Sequence, residues 1–315
     1  MAMNLALIGS VSSSHAVLDA LSRSGVEITC VLGLNASLAD RVSDYRDLRP
    51  LAEQAGIPFR AFIKVDEPEV AAFLEQYRPD MLWVIGLSQL VPRYLVELAP
   101  QGGVGFHPTP LPKGRGRAPV AWTILLDQPA AASLFYLADE PDAGDIIMQR
   151  PVPVLPDDYS EDLIARTNQV LGAMVCELAP RIISGEVPRT PQDHSQATHY
   201  PKRTADDGLI RWDQRTDQIY RLIRAAGRPY PGAFAYLRGQ KIIVWRGRAA
   251  SPEAVPKPGQ AEPGVVLATD RDAGCLLATG DGAIWLTEVQ PTAQVAADSL
   301  LTVGEVLTSV PDSAG

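Results

Sequence analysis

The sequence has few of the residues that build disulfide frameworks or zinc sites. Its three cysteines, Cys30, Cys176 and Cys275, lie far apart and never at CxxC spacing. Its four histidines include no pair at HxxxH or HExxH spacing. We therefore expect reduced thiols and no bound metal ion.

The sequence also lacks a long hydrophobic run at its N-terminus. The first apolar stretch, Asn4–Gly9, is short, and no basic segment precedes it. Signal peptides need basic residues before a longer apolar core, and membrane helices need about 20 apolar residues. These features predict a cytoplasmic protein without a membrane partner.

Positive charge is scarce relative to negative charge. The 28 lysines and arginines are outnumbered by 37 aspartates and glutamates, which gives a formal net charge of -9 and a pI of about 5.0. This balance disfavours RNA or DNA as a partner. Hydrophobic residues make up 46% of the chain, enough to bury the core of a globular protein.

Strand and helix patterns alternate through the first half of the chain. Residues 4–9 and 26–32 are short apolar or β-branched runs, and a helical pattern at 16–24 lies between them. Later strand candidates, at 81–85 and leading into His107, continue the alternation. This order predicts an α/β fold with a doubly wound, mostly parallel sheet.

The pattern changes after residue 208. One amphipathic helix, at 216–225, precedes short β-rich runs that glycine and proline punctuate, and such runs predict a smaller barrel. The runs cover 234–237, 241–246, 264–268, 275–278 and 283–288. The predicted domains are 1–185 and a β-rich 208–310, joined by a polar linker at 186–207.

Residues 103–119, GVGFHPTPLPKGRGRAP, hold the densest group of chemically useful side chains. Four prolines and four glycines shape a loop after a predicted strand, and such loops carry ligands in α/β proteins. His107 is a candidate general acid or base, with metal ligation and a structural hydrogen bond as alternatives. Lys113 and Arg115 could meet phosphate or carboxylate, or could be solvated loop charges.

An acidic loop at 140–145, EPDAGD, follows a strand pattern at 133–137. A carboxylate beside His107 would fix the tautomer of the imidazole and favour its charged form, which suits a proton-handling site. The alternative is an acidic turn in water. The presence of both loops favours the catalytic interpretation.

In these motifs the chain resembles the folate-dependent formyltransferase family. The resemblance covers nearly the whole chain and includes HPTPLPKGRGRAP, the Asp142-Ala143-Gly144 loop, and the later RTADDGLIRW, RPYPGAF and PGVVL. It implies a Rossmann-like formyltransferase domain and a C-terminal domain similar to an OB-type barrel. It also implies transfer of a formyl group from 10-formyltetrahydrofolate to a primary amine, without a metal.

The catalytic set that the resemblance implies is an asparagine, a histidine and an aspartate. His107 and Asp142 match two of them, but Gly105 stands at the asparagine position. The family asparagine helps to hold the formyl oxygen as it gains negative charge, so we expect Ser88, Gln89 or His107 itself to supply that donor. The implied folate contacts are Gly86, Leu87, Ser88, Gln89, Glu140, Pro141 and Asp142.

Charge and motif similarity predict the acceptor. Residues 32–49 contain three arginines, three aspartates and no lysine, a mixture with little attraction for RNA. RTADDGLIRW and RPYPGAF resemble segments of sugar-nucleotide formyltransferases, so we expect a nucleotide-linked amino sugar and a homodimeric enzyme. The alternatives are a methionyl-tRNA formyltransferase and a catalytically impaired folate-binding homologue. The expected acceptor contacts are Lys113, Arg115, Lys202, Arg203 and Tyr230.

Overall fold

The computed structural model describes residues 3–251, 261–292 and 301–311. The chain divides into two compact units. The first comprises Met1–Val120, Pro129–Val154 and Leu163–Lys202, and the second comprises Ala121–Gln128, Leu155–Asp162 and Arg203–Gly315. Residues 252–260 and 293–300 of the predicted β-rich domain lie outside the described residues.

A mixed sheet forms the centre of the first unit. Within the described residues this sheet has seven strands, β1 Asn4–Gly9, β2 Glu27–Leu34, β3 Phe59–Phe62, β4 Met81–Ile85, β5 Gly103–His107, β7 Ala130–Tyr136 and β8 Ile146–Val152. Their order is β3-β2-β1-β4-β5-β7-β8. Neighbours pair in parallel from β3 to β5, whereas β7 pairs antiparallel with β5 and β8. The predicted doubly wound, mostly parallel sheet is confirmed.

Helices follow the strands of the parallel part. The helices outside the β-rich region are α1 Ser12–Arg23, α2 Arg49–Gln54, α3 Pro68–Tyr77, α4 Arg93–Val96, α5 Pro119–Leu125 and α6 Ser160–Ser184. Val70 and Leu74 of α3 pack with Ile8 of β1 and Leu32 of β2 in a buried apolar cluster. No helix within the described residues is long and apolar enough to cross a membrane.

Helix α1 begins at Ser12, earlier than the helical pattern at 16–24 predicts. The hydroxyl of Ser14 accepts hydrogen bonds from the N–H groups of Ser10 and Val11, at 3.0 and 3.2 Å. It also donates to the carbonyl oxygen of Ile85 at 2.5 Å. Serine satisfies free N–H groups at a helix start, so residues 12–14 form the first turn of the helix.

Several short elements have no clear sequence pattern. Strand β3 has only four residues, and α5 follows the proline- and glycine-rich loop. A further pair of two-residue strands, β6 Arg115–Gly116 and β9 His199–Tyr200, forms in parallel between distant parts of the chain. Such pairing depends on contacts between remote residues, which a local periodicity does not reveal.

The second unit holds helix α7 Thr216–Ala226 and an antiparallel sheet. Its strands are β10 Ala233–Leu237, β11 Gln240–Ala249, β12 Val266–Asp270, β13 Gly274–Ala278, β14 Ala283–Pro291 and β15 Leu307–Thr308. In the described part of the chain their order in the sheet is β12-β13-β14-β11-β10-β15. Ile219 and Ile223 of α7 pack with Val244 and Ile284 in its core. This half-barrel arrangement is consistent with the predicted OB-type domain.

Candidate active site

Strand β5 brings His107 into the interior of the first unit. The residue ends the strand, pairs with Ser133 of β7, and is 5% exposed. Its Nε2 lies 2.8 Å from the carbonyl oxygen of Gly114. A carbonyl oxygen only accepts hydrogen bonds, so Nε2 carries a proton and donates it. Nδ1 is therefore the ring nitrogen that can take up or release a proton.

Asp142 lies beside the other ring nitrogen of His107. Its Oδ2 is 3.7 Å from His107 Nδ1 and accepts a hydrogen bond of 2.9 Å from the N–H of Gly116. The backbone of Asp142 is in the left-handed region, with φ +57°. The loop between β7 and β8 thus places a carboxylate beside the imidazole, as the acidic motif predicts.

Gly114 and Gly116 shape the loop that follows β5. Both have positive φ, +72° and +107°, and a Cβ on Gly116 would lie 2.4 Å from the backbone oxygen of Tyr200. The N–H of Gly114 donates to Thr198 Oγ1 at 2.9 Å, and β6 pairs with β9. Part of segment 186–207 therefore packs directly on the loop that contacts His107.

Arg115, an expected acceptor contact, lies between those glycines and is 2% exposed. Its Nη1 donates to Glu140 Oε1 at 3.2 Å. Its Nη2 donates to Gln192 Oε1 at 2.8 Å and lies 3.0 Å from His194 Nδ1. The guanidinium is thus directed to protein groups, and its contact with a substrate stays a prediction.

Gln192 and Thr198 contact the site but carry no sequence signal. Gln192 Nε2 donates to the carbonyl oxygens of Asp142 and Gly144, at 2.9 and 2.6 Å. Both residues belong to a polar segment without a strand or helix pattern. Their partners lie 48 to 84 residues away in sequence, so only the folded chain brings them together.

The predicted folate segment, residues 86–89, follows β4. Gly86 has φ +58°, and a Cβ there would lie 2.3 Å from the Val11 side chain. Its carbonyl oxygen accepts a hydrogen bond from Ser10 Oγ at 3.0 Å. Leu87 is partly buried against the apolar cluster that contains Ile8. These contacts hold the backbone of the segment against the start of α1.

Gln89 is anchored at the end of that segment. Its Nε2 donates to the carbonyl oxygen of Ile63 at 2.8 Å, and its Oε1 accepts from the N–H of Val65 at 2.7 Å. Ser88, by contrast, is exposed. Of these two predicted candidates for the oxyanion donor, Ser88 therefore has the freer side chain.

The acidic loop combines exposed and anchored residues. Glu140 and Pro141, two further expected folate contacts, are exposed. The Glu140 carboxylate lies 3.2 Å from Arg115 Nη1 and 3.7 Å from His199 Nε2. Across the described ranges, no three His, Cys, Asp or Glu side chains are grouped as a metal site requires.

The remaining expected acceptor contacts are divided between the units. Arg203 belongs to the second unit, where its guanidinium lies 5.1 Å from the centre of the Trp122 ring and donates to Asp207 O at 2.8 Å. Burial lowers the pKa of Arg203, and charge interactions with Asp207 and Tyr230 oppose this shift. Lys113 and Lys202, by contrast, belong to the first unit and are exposed.

Gly105 lies on the same face of β5 as His107, since residues two apart on a strand share a face. It pairs with Phe135 of β7. A Cβ on Gly105 would lie 2.7 Å from Phe135 Cζ and 2.9 Å from Leu137 Cδ2. The Phe135 ring therefore occupies the space that a side chain at position 105 would need.

Comparison with known proteins connects this geometry to a family. The chain matches the family described as "Formyl transferase" over residues 3–177 and "Formyl transferase, C-terminal domain" over residues 202–302. It is 31% identical over 245 residues to methionyl-tRNA formyltransferase of Desulfotalea psychrophila. This match covers 78% of this chain and 74% of that protein.

Solved structures with the same fold include HypX from Aquifex aeolicus in complex with tetrahydrofolic acid. It matches with a TM-score of 0.67 and 20% identity. The match covers 93% of this chain and 45% of HypX. An N-formyltransferase from Helicobacter canadensis, with folinic acid and dTDP-3-aminofucose, has a TM-score of 0.62 and 15% identity. The match covers 92% of this chain and 99% of that protein. At these identities the likeness shows the fold alone.

The fold and the family matches together define a transferase of one-carbon groups. The chain belongs to the family of folate-dependent formyltransferases. It is therefore an enzyme of formyl transfer, as the motifs around His107 and Asp142 predict.

Substitution of Gly105 tests the packing of Phe135. We expect Gly105→Ala to lower the free energy of unfolding by about 1–3 kcal/mol, because the new methyl group displaces the ring. Gly172→Ala is the matched control, since its Cβ would meet only Ala16 O at 4.0 Å and helices favour alanine over glycine by about 1 kcal/mol. Urea denaturation measures the free energy of unfolding of both variants. A Gly105→Ala variant as stable as wild type would contradict the packing of Phe135 against Gly105.

Proposed function

We propose that the protein transfers the formyl group of 10-formyltetrahydrofolate to a primary amine on a nucleotide-linked amino sugar. The observation that carries the proposal is the 3.7 Å approach of Asp142 Oδ2 to His107 Nδ1. Both residues lie within the stretch that matches the family. They combine a buried imidazole with a carboxylate, which is the pairing that proton transfer near neutral pH requires.

The reaction requires a proton to leave the acceptor amine as its nitrogen attacks the formyl carbon. Gly114 holds Nε2 of His107 as a donor, so Nδ1 receives this proton. Asp142 stabilises the imidazolium that forms. The new C–N bond forms, the bond from the formyl carbon to the folate nitrogen breaks, and Nδ1 returns the proton to that leaving nitrogen. No covalent bond to the enzyme is needed, and proximity of the two substrates supplies much of the acceleration.

The formyl oxygen gains negative charge during this step and needs a hydrogen-bond donor. Gly105 offers only a backbone N–H, and Phe135 fills the space beside it. Gln89 is anchored to Ile63 and Val65, and the Nε2 proton of His107 is donated to a backbone carbonyl. We therefore assign the donor role to the exposed hydroxyl of Ser88.

Two proteins with this fold support the choice of substrates. HypX was solved with tetrahydrofolic acid, and the Helicobacter canadensis N-formyltransferase with folinic acid and dTDP-3-aminofucose. They support a folate donor and, in the second case, an amino sugar carried by a nucleotide. The exposed Lys113 and Lys202 are suited to the diphosphate of such an acceptor.

The charges of segment 32–49 support a small acceptor over tRNA. Asp44 accepts hydrogen bonds from the backbone N–H and the hydroxyl of Ser12. The guanidinium of Arg49 lies 5.0 Å from the centre of the Phe59 ring. These groups are engaged within the first unit, and the chain as a whole carries a net charge of -9, which repels RNA.

Methionyl-tRNA formylation is the second candidate, because the Desulfotalea psychrophila relative has that name. The two functions are separated by incubating the protein with 10-formyltetrahydrofolate and either a panel of nucleotide-linked amino sugars or initiator methionyl-tRNA. We expect formylated sugar by product mass and no formylated tRNA. Turnover with tRNA that falls steeply with salt would establish the second candidate instead. Folate binding without turnover of either acceptor would indicate a catalytically impaired homologue.

Removal of the imidazole tests the proton-transfer role. We expect His107→Ala to lower kcat by about 10²- to 10⁴-fold, the usual contribution of a general acid or base. His15→Ala is the matched control, since His15 is exposed on α1, and its kcat should equal that of wild type. Steady-state kinetics measure both, and an unchanged kcat for His107→Ala would remove His107 from the mechanism.

Removal of one hydroxyl tests the assigned oxyanion donor. Ser88→Ala should lower kcat by about 10²- to 10³-fold, because loss of one such donor has this effect in other enzymes. Ser184→Ala, which removes an exposed hydroxyl at the end of α6, should leave kcat unchanged. Equal rates for the two variants would exclude Ser88 as the donor.

A further inference from the structure

Gln192 is a buried amide that contacts the turn of the catalytic aspartate. The residue lies in segment 186–207 and is 7% exposed. Its single Nε2 donates to two backbone carbonyl oxygens, those of Asp142 at 2.9 Å and Gly144 at 2.6 Å. Because these carbonyls are two residues apart, one amide fixes both ends of the turn.

Arg115 determines which way the Gln192 amide faces. Its Nη2 donates to Gln192 Oε1 at 2.8 Å, and a guanidinium cannot accept a hydrogen bond. The amide oxygen must therefore face Arg115, which leaves the amide N–H groups facing the turn. Arg115 is itself held by Glu140 and His194, so the orientation of the amide is set by a chain of contacts that begins at the buried guanidinium.

The turn at Asp142 needs such support because its backbone is strained. Asp142 has φ +57°, a conformation that costs a residue with a side chain on the order of 1 kcal/mol. Gly144 is pressed against the sheet, since a Cβ there would lie 1.8 Å from the Tyr136 carbonyl oxygen. The Asp142 carboxylate follows its backbone, so movement of this turn would change the distance to His107.

We propose that Gln192 is a positioning residue for formyl transfer. It holds the Asp142 turn so that the carboxylate stays beside Nδ1 of His107, and it acts through Asp142 without touching the substrates. The inference rests on the proposed function, because it assumes that His107 and Asp142 handle the proton. It assigns a catalytic consequence to a segment that the sequence pattern presents as a linker.

Two substitutions separate positioning from a general structural role. Gln192→Met removes the amide at similar volume. Gln192→Glu keeps an oxygen for Arg115 but places a second oxygen against the two carbonyls of the turn. We expect both to lower kcat by about 10- to 100-fold, since a displacement of about 1 Å has effects of this size. If Gln192 served only to satisfy Arg115, Gln192→Glu would have the kcat of wild type, and that result would overturn the proposal.

Asn4→Ala is the matched control for stability. Asn4 Oδ1 accepts a hydrogen bond of 2.9 Å from the N–H of Asp80, at the start of β1 and away from the site. Thermal unfolding gives the midpoint temperature of each variant. The kcat of every variant is then measured below the lowest of these temperatures, so that only folded proteins are compared. We expect Asn4→Ala to lose stability without losing kcat. A Gln192→Met variant that likewise loses stability but keeps kcat would contradict positioning.

NMR of the histidine rings gives a readout that does not depend on turnover. The protein has four histidines, so the ¹⁵N signals of the His107 ring can be assigned by substitution. We expect the His107 signals of Gln192→Met to differ from wild type across the pH range, with those of His15 unchanged. Identical His107 signals would overturn the proposal. Absence of turnover in wild type would instead refute the proposed function. The signals of the His107 ring would still show whether Gln192 holds Asp142 beside His107.

Discussion

The candidate active site depends on a span of three residues, 114–116, whose backbone is held in one conformation. Its first carbonyl selects the tautomer of His107, its central side chain reaches Gln192, and its last N–H meets the carboxylate of Asp142. Because these groups belong to consecutive residues, their spacing follows from the covalent geometry of the backbone. The pairing of β6 with β9 and the positive φ of both glycines keep the span in place.

Close packing limits which residue position 105 can hold. The face of β5 beside His107 is occupied at position 105 by the ring of Phe135, which comes from the neighbouring strand β7. A glycine is required there because protein interiors have no spare volume for a Cβ. The small residue at position 105 is thus coupled to a large aromatic side chain across the strand pair. Strand β5 therefore offers only its backbone at this position, and residues 86–89 follow the adjacent strand β4.

Much of the fold was predictable because it follows from local patterns. The run at 4–9 is a buried strand, and the strand patterns after it form the parallel part of the sheet, since continuous apolar runs separated by helical patterns are typical of parallel sheets. The β6 and β9 pairing and the burial of Arg115 were not predictable. A cationic residue in a glycine-rich loop has the same local sequence whether it faces water or is enclosed by Gln192 and His194.

The sequence by itself determined the alternation of the main strands and helices and the family, and it predicted that Asp142 lies beside His107. These depend on residue type and on motif order, which are properties of the linear chain. Only the tertiary structure decided that Nδ1 is the nitrogen facing the carboxylate, that Phe135 closes the space at Gly105, and that Gln192 contacts the turn. Each of these depends on contacts between residues far apart in sequence. The same side chain could have several partners, and only the distances and the burial in the folded chain decide which partner it has.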